Sequence, residues 1–183
     1  MKLIVGISGG SGAIYGIALL EALKRLGIET HLVVSSMGEY VVKHECEIEL
    51  SELIGMASFY YDNMDLAAAI SSGSFKTDGM VIIPCSMKTL AGVANGFSDN
   101  LLNRAADVII KERRKLVIVA RETPLSSIHL ENMLKLSKMG VTIMPPSPGF
   151  YNNPQSISDI VSGIVGRVLD QFGIENEIAK RWS

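Results

Sequence analysis

Short apolar runs alternate along the chain with longer segments in which apolar residues recur every three or four positions. The short runs have the length of buried strands, and the spacing in the longer segments is typical of amphipathic helices. The pattern predicts strands at 2–8, 30–34, 79–84, 115–120 and 141–144, and helices at 13–26, 38–44, 87–95, 100–112, 126–138 and 156–172. Residues 46–65 give no clear period, and the polar stretch 71–74 predicts a loop.

The alternation of strands with helices predicts an α/β fold with a doubly wound parallel sheet of the Rossmann-like or flavodoxin-like kind. A length of 183 residues fits one domain, and we expect a single domain over residues 1–183. In such sheets, ligands bind at the carboxyl ends of the strands. The residues that directly follow each predicted strand are therefore the first candidates for a functional site.

Composition and charge narrow the function classes. Hydrophobic residues make up 48% of the chain, which is enough to fill a core and leave apolar surface for self-association. The net charge is −2 without a basic block, which argues against nucleic-acid binding. No apolar run approaches the roughly 18 residues of a membrane-spanning helix, and the N-terminus has no signal-peptide pattern. Cys46 and Cys85 match no metal-ligand spacing, so we expect a reducing cytoplasmic setting and no metal.

The turn after the first predicted strand is rich in glycine and contains Gly9, Gly10 and Ser11. Glycine lets a backbone approach a ligand closely, and the helix that follows presents free N–H groups to an anion. The dinucleotide fingerprint is not met, because Tyr15 stands at its third glycine position and Ser35, not an acid, follows the second strand. The turn indicates a phosphate-bearing ligand other than a dinucleotide, or a tight turn that binds nothing.

The third predicted strand leads into Ser86, Met87, Lys88 and Thr89. The Ser86 side chain can cap the next helix. Its hydroxyl and that of Thr89, the first helical amides and Lys88 would together form a phosphate site. The alternative is an ordinary helix cap beside a solvated lysine. Because this is the second turn in the same fold that could bind a phosphate, the two together favour a phosphorylated ligand.

Further charged residues lie after and before the fourth predicted strand. Arg121 and Glu122 follow it directly, where doubly wound folds place their chemistry. Arg104 and Lys111 are close to two turns apart in the preceding helix, so both project from one face and could hold a phosphate. For Lys111, a solvated basic stripe at the helix end is an equal alternative.

Three more candidates lie towards the C-terminus. Tyr151 follows the proline-rich stretch 145–149, which is stiff and could hold the ring over a ligand. Arg167 lies in the last helix among apolar neighbours, and Trp182 stands beside the C-terminus. A packed or surface position would explain each of them equally well.

These motifs together resemble the UbiX-type flavin prenyltransferases over almost the whole chain. Several long motifs in the right order are more specific than any single turn. The resemblance rests on GISGGSGAIY at 6–15, PCSMKTL at 84–90, RAAD at 104–107, KERRKL at 111–116, RETP at 121–124, HLENM at 129–133 and PGFY at 148–151.

The resemblance implies a reaction and an assembly. Members of this family join a dimethylallyl group from dimethylallyl phosphate to N5 and then C6 of reduced FMN without a metal, and the prenylated FMN is the cofactor of a UbiD-type decarboxylase. They assemble as dodecamers with sites built between subunits. For this chain the resemblance therefore implies reduced FMN as a substrate and a homo-oligomer, with a dodecamer as the expected form. The choice between a monophosphate and a pyrophosphate donor stays open, as do the decarboxylase and pathway served.

The resemblance also implies residue roles. It implies FMN contacts from Gly9, Gly10, Ser11, Ser35, Ser86, Met87, Lys88, Thr89 and Arg121. It implies contacts to the prenyl phosphate from Arg104, Lys111, Tyr151 and Arg167, with Glu45 lining the same site. The implied catalytic residues are Ser11, Glu45, Glu122 and Trp182. Glu122 would assist proton transfer at ring closure, and Trp182 would offer a π-face to the allylic cation.

Two other functions compete with this interpretation. An FMN-dependent decarboxylase of cysteine-containing peptides shares a similar fold, but that family has Pro-Ala-Ser-Ala-Asn-Thr where this chain has PCSM at 84–87. Its catalytic histidine has no clear match, His44 being the nearest candidate. A non-catalytic FMN carrier is the second competitor, and it would need no second phosphate site.

Overall fold

The computed structural model describes residues 1–179, and its framework is a six-stranded parallel sheet with the strand order β3-β2-β1-β4-β5-β6. The strands are β1 (Lys2–Ile7), β2 (Glu29–Val34), β3 (Phe59–Tyr61), β4 (Gly79–Cys85), β5 (Lys115–Ala120) and β6 (Thr142–Ile143). This arrangement confirms the predicted doubly wound α/β fold.

Helices cover both faces of the sheet. They are α1 (Ala13–Arg25), α2 (Ser36–Cys46), α3 (Leu50–Ile54), α4 (Met87–Ala94), α5 (Leu101–Lys111), α6 (Ser127–Lys138) and α7 (Ile157–Gln171), with a 3-10 turn at Ala69–Ser71. No helix in the described part of the chain combines the length and apolar character needed to cross a membrane.

Two hydrophobic cores lie on opposite faces of the sheet because strand side chains alternate in direction. In β1, Leu3 and Val5 belong to the core that contains α1 and α7, whereas Ile4 belongs to the core under α4, α5 and α6. Helices α5 and α7 therefore lie on different faces, which separates the side chains they carry.

The strand order reverses between β1 and β4, which are paired in parallel with Val5 opposite Val81. From β1 the chain proceeds through β2 to β3 on one side, and from β4 through β5 to β6 on the other. A doubly wound sheet opens a crevice at such a switch point, at the carboxyl ends of the two strands. The turns that begin at Ser8 and Ser86 lie there.

The prediction of five strands was wrong, because the described part of the chain has six. The additional strand, β3, and the helix α3 both lie in the segment 46–65, which showed no clear period. Strand β3 pairs with β2 and leaves Phe59 half exposed. Its three residues are too few for an alternating pattern. Helix α2 begins at Ser36, two residues before its predicted start, because Ser35 caps it.

Candidate functional site

The turns after β1 and β4 are joined through Ser8. This side chain is buried, and its Oγ accepts a hydrogen bond from the amide of Ser86 at 2.8 Å and donates one to the carbonyl of Pro84 at 3.2 Å. The Ser8 amide also donates to the same carbonyl at 3.1 Å. The start of α4 is therefore fixed against the glycine-rich turn.

Gly9 and Gly10 bring three turns into contact. A Cβ added at Gly9 would lie 2.5 Å from the Cβ of Met37, the second residue of α2. A Cβ added at Gly10 would lie 3.4 Å from the amide nitrogen of Ser86. The turn can thus pack against the starts of both α2 and α4 because it lacks side chains.

Serine residues cap α2 and α4 at this crevice. Ser35 Oγ accepts a hydrogen bond from the amide of Gly38 at 3.0 Å, and Ser86 Oγ accepts one from the amide of Thr89 at 3.3 Å. The cap predicted at Ser86 is confirmed. Its hydroxyl donates to Thr89 Oγ1 at 3.2 Å, which leaves the Thr89 hydroxyl proton for another acceptor. Within the first turn of α4, Met87 is buried and Lys88 is exposed.

The start of α1 carries an acidic side chain from α2. Glu45 Oε2 accepts hydrogen bonds from the amides of Gly12 at 2.8 Å and Ala13 at 3.0 Å. Partial burial raises the pKa of Glu45, but hydrogen bonds from Ser11 and these two amides, and the charge of Arg121, outweigh it and hold that pKa below its ordinary value. The carboxylate is therefore ionised at neutral pH and occupies the positive end of α1.

Arg121 and Glu122 follow β5 and are both exposed. The Arg121 amide donates to the carbonyl of Cys85 at 3.1 Å, which fixes this residue beside the end of β4. Its charge also favours the ionised form of Tyr15, although burial dominates and raises the pKa of that phenol. Glu122 Oε1 accepts a hydrogen bond from the amide of Thr123 at 3.0 Å.

The two predicted cations of α5 are each paired with an acid. Arg104 donates to Asp107 Oδ2 at 2.7 Å and to the carbonyl of Ser71 at 3.3 Å. Lys111 donates to Glu112 Oε1 at 2.5 Å, and this bond holds the pKa of Glu112 below its usual value. Both side chains follow the same helix face, as predicted.

Tyr151 and Arg167 line a cavity of about 730 Å³ between the segment after β6 and α7. Both are exposed, and Arg167 donates to Asp170 Oδ2 at 2.9 Å. Helix α7 lies on the face of the sheet opposite α5. Within one chain, the four predicted prenyl-phosphate residues therefore form two separate groups. Trp182 lies outside the described residues.

Sequence reasoning missed two residues that organise this region. Ser8 joins the turns, and Asp107 pairs with Arg104. Two signals in the sequence would have found them: a serine at the end of an otherwise apolar strand, and an acid three residues after an arginine in a helix.

His44, which stacks on Tyr40 at 5.7 Å between ring centroids, is exposed. Among residues 1–179, no group of three or more His, Cys, Asp or Glu side chains could hold a metal ion.

Comparison with known proteins gives a consistent result. The flavoprotein family model matches residues 1–169. A probable UbiX-like flavin prenyltransferase of Bacillus subtilis is 57% identical over all of this chain and 90% of its own length. The dodecameric FMN-dependent UbiX-like decarboxylase of Escherichia coli O157:H7 has a TM-score of 0.98 at 55% identity, with both chains fully covered.

AnUbiX (PadA1), solved in complex with FMN and dimethylallyl pyrophosphate, also has a TM-score of 0.98, at 48% identity over all of this chain and 97% of its own. These similarities confirm the predicted fold class, the flavin and the enzyme class. This chain belongs to the flavoprotein family and, within it, to the UbiX-like flavin prenyltransferases.

Proposed function

We propose that this protein transfers a dimethylallyl group from dimethylallyl phosphate to N5 and C6 of reduced FMN, and that the product serves a UbiD-type decarboxylase. The proposal depends above all on one observation, the meeting of the Gly9 and Gly10 turn with the capped start of α4 at the switch point. A flavin with a phosphate tail requires such a combination of close backbone approach and anion-binding amides.

The FMN phosphate binds at the start of α4 in this proposal. Glu45 already neutralises the start of α1, so a second anion would be repelled there. At α4 the helix amides, the free hydroxyl proton of Thr89 and the exposed Lys88 offer donors to a phosphate. Gly9, Gly10, Ser11, Ser35, Met87 and Arg121 complete the proposed FMN contacts.

The prenyl phosphate lies between subunits in this proposal. Arg104 and Lys111 on α5 and Tyr151 and Arg167 beside α7 are separated by the sheet, so one phosphate reaches both groups only if they come from different chains. Two features support such an assembly. The similar E. coli structure is described as dodecameric, and this chain leaves several large apolar side chains of α6 exposed, namely Ile128, Leu130 and Leu134.

Arg104, Lys111 and Arg167 stabilise the leaving phosphate as its negative charge develops. Each is oriented by a carboxylate close in sequence, as in the pairs of Arg104 with Asp107 and Arg167 with Asp170. A guanidinium has five N–H donors, so it can keep its acidic partner and still bind a phosphate oxygen. The positive charge is thus held in position before the substrate arrives, which lowers the cost of reorganisation.

Ring closure at C6 releases a proton, for which Glu122 and the departing phosphate are the proposed acceptors. Glu122 stands directly after β5, beside the proposed FMN contact Arg121. If Glu122→Gln forms the ring-closed product at the wild-type rate, Glu122 has no such role. Glu45 and Ser11, hydrogen-bonded to each other, and Trp182 are the other proposed catalytic residues.

Anaerobic mass spectrometry tests the proposed reaction. The protein is incubated with reduced FMN and dimethylallyl monophosphate, and in parallel with the pyrophosphate and with Lys111→Met as the control variant. We expect a flavin heavier by one five-carbon unit from the wild type and far less from the variant. If the flavin stays bound but unchanged with both the monophosphate and the pyrophosphate, the proposal is contradicted.

A further inference from the structure

Segment 71–75 lies along the cationic face of α5 and has no regular structure beyond the end of the 3-10 turn. Its alternate carbonyls all accept hydrogen bonds from arginine side chains. The carbonyl of Ser71 accepts from Arg104 at 3.3 Å, and those of Gly73 and Phe75 accept from Arg114 at 2.6 and 2.8 Å. The amide of Phe75 donates to the carbonyl of Ser72 at 3.2 Å, so the segment forms a turn, and two arginines hold that turn through its carbonyls.

Arg114 is anchored where it can act as a clamp. Its side chain is 17% exposed, and its amide donates to the carbonyl of Ile109 at 3.0 Å, which fixes the residue to the end of α5. Its two terminal nitrogens each bind one carbonyl of the segment. A planar guanidinium can form both bonds at once, whereas a lysine ammonium is a single point charge and does not reproduce this fork.

The position of Lys111 depends on the clamped segment. A Cβ added at Gly73 would collide with Glu112 Oε1 and lie 2.8 Å from Lys111 Nζ. The ion pair of Lys111 and Glu112 therefore packs directly against the backbone that Arg114 holds. If that backbone moved, the ammonium would lose one wall of its site.

We infer that Arg114 is a positioning residue of the prenyl-phosphate site, which it serves by holding segment 71–75 against the Lys111 and Glu112 pair. This inference rests on the proposed function of Lys111 as a phosphate contact. It assigns to Arg114 no contact with the substrate. It also explains a glycine at position 73, where any side chain would displace the ammonium.

Steady-state kinetics of Arg114→Lys tests the inference, with Arg113→Lys as the matched control. Arg113 is adjacent in sequence and exposed, and Arg113→Lys makes the same change of side chain while keeping the positive charge. For Arg114→Lys we expect the KM for dimethylallyl phosphate to rise about tenfold. This is the effect of losing one charge-assisted hydrogen bond, here the bond from the displaced Lys111 to the phosphate. The Kd for FMN, measured by fluorescence titration, should stay within about twofold, since the flavin contacts are elsewhere. Arg113→Lys should match the wild type in both quantities.

A second variant, Gly73→Ala, reaches the same site without changing Arg114. The added methyl group meets only the ends of two flexible side chains, so the fold is kept while Lys111 is displaced. We expect the same selective rise in KM. The inference is overturned if both variants keep the wild-type KM, or if the Kd for FMN rises in step with it. A wild-type protein that forms no prenylated flavin would instead overturn the proposed function.

Discussion

Glu45 accepts a hydrogen bond from the backbone amide of Gly12 at 2.8 Å, although the two residues are 33 positions apart. The contact brings an ionised carboxylate from the last turn of α2 to the start of α1, where the helix dipole favours negative charge. One of the helix starts at the switch point is therefore already neutralised. This relationship is the reason for proposing that the FMN phosphate binds at the start of α4.

The stability contribution of Glu45 should depend on pH. Its folded-state pKa is lowered, so the contribution is present above the unfolded pKa of about 4.3 and is lost as the pH falls through the folded value. Glu45→Gln should lower the free energy of unfolding at pH 7 by about 0.5–1 kcal/mol, as expected for a helix-terminal charge. Denaturant unfolding at several pH values measures it. Glu21→Gln, at an exposed position of α1, is the control, and an equal loss in both variants would contradict the assignment.

Gly9 and Gly10 should differ in their tolerance of a methyl group. The Cβ of Gly9→Ala would lie 2.5 Å from Met37 Cβ, so α2 must move, and we expect a loss of about 1–3 kcal/mol in the free energy of unfolding. At Gly10 the nearest atoms are 3.4 Å away, so Gly10→Ala should lose clearly less. Thermal or denaturant unfolding of the two variants gives the comparison. Equal losses would show that the turn does not pack on α2 in the way described.

Ser86 should contribute both to the stability of α4 and to FMN binding. Ser86→Ala removes the hydrogen bond to the Thr89 amide and should cost about 0.5–2 kcal/mol, the usual effect of losing a helix cap. Ser126 caps α6 in the same way, so Ser126→Ala is a matched control with a similar loss of stability. Only Ser86→Ala should weaken FMN binding in a fluorescence titration. If both variants bind FMN equally well, the phosphate lies elsewhere.

His31 should make stability fall as the solution becomes acidic. The ring is buried, and this burial lowers its pKa although Glu29 opposes the shift. Nε2 donates to the Glu29 carboxylate at 2.8 Å, and Nδ1 accepts from the Tyr61 hydroxyl at 2.9 Å, as a neutral imidazole can. The unfolded state therefore binds a proton first, and stability falls from about pH 6.5 downwards.

His31→Gln should flatten that dependence. We expect a smaller slope of unfolding free energy against pH between about 6.5 and 5 for this variant than for the wild type. His44→Gln, at an exposed position where the ring stacks on Tyr40, serves as the comparison variant. Denaturant unfolding across this range gives the slopes, and a His31→Gln slope equal to that of the wild type would contradict the account.

Much of the fold followed from the sequence because its strands are buried on both faces. Runs such as residues 79–84 have the length and composition typical of buried parallel strands, and Ser86 and Ser126 are typical caps of the helices that follow them. Strand β3 could not be predicted, because three residues show no period and its place is set by pairing with β2. The contact of Glu45 with Gly12 also depends on tertiary packing, which no local pattern reveals.

The sequence placed candidate residues at the ends of three strands, and their arrangement in space followed only from the fold. The residues at the ends of β1, β4 and β5 meet because the carboxyl ends of parallel strands share one edge. The separation of the two groups of cations by the sheet could not be predicted. Periodicity assigns Lys111 and Arg167 to helices, but it does not show which face of the sheet each helix covers. Arg114 gave no signal of its own within a run of basic residues, and the role proposed for it depends on the carbonyls it binds.

Lys111 and Arg167 are proposed to act on one phosphate from different subunits. Lys111→Met and Arg167→Met should each be nearly inactive as homo-oligomers. When the two variants are co-expressed and purified as mixed assemblies, roughly one quarter of two-subunit sites regain both cations, as random assembly of a symmetric oligomer predicts. The measurement is the yield of prenylated FMN from such assemblies under anaerobic conditions. Recovery of that fraction of wild-type activity is the predicted result, and mixed assemblies as inactive as either parent would contradict the shared site.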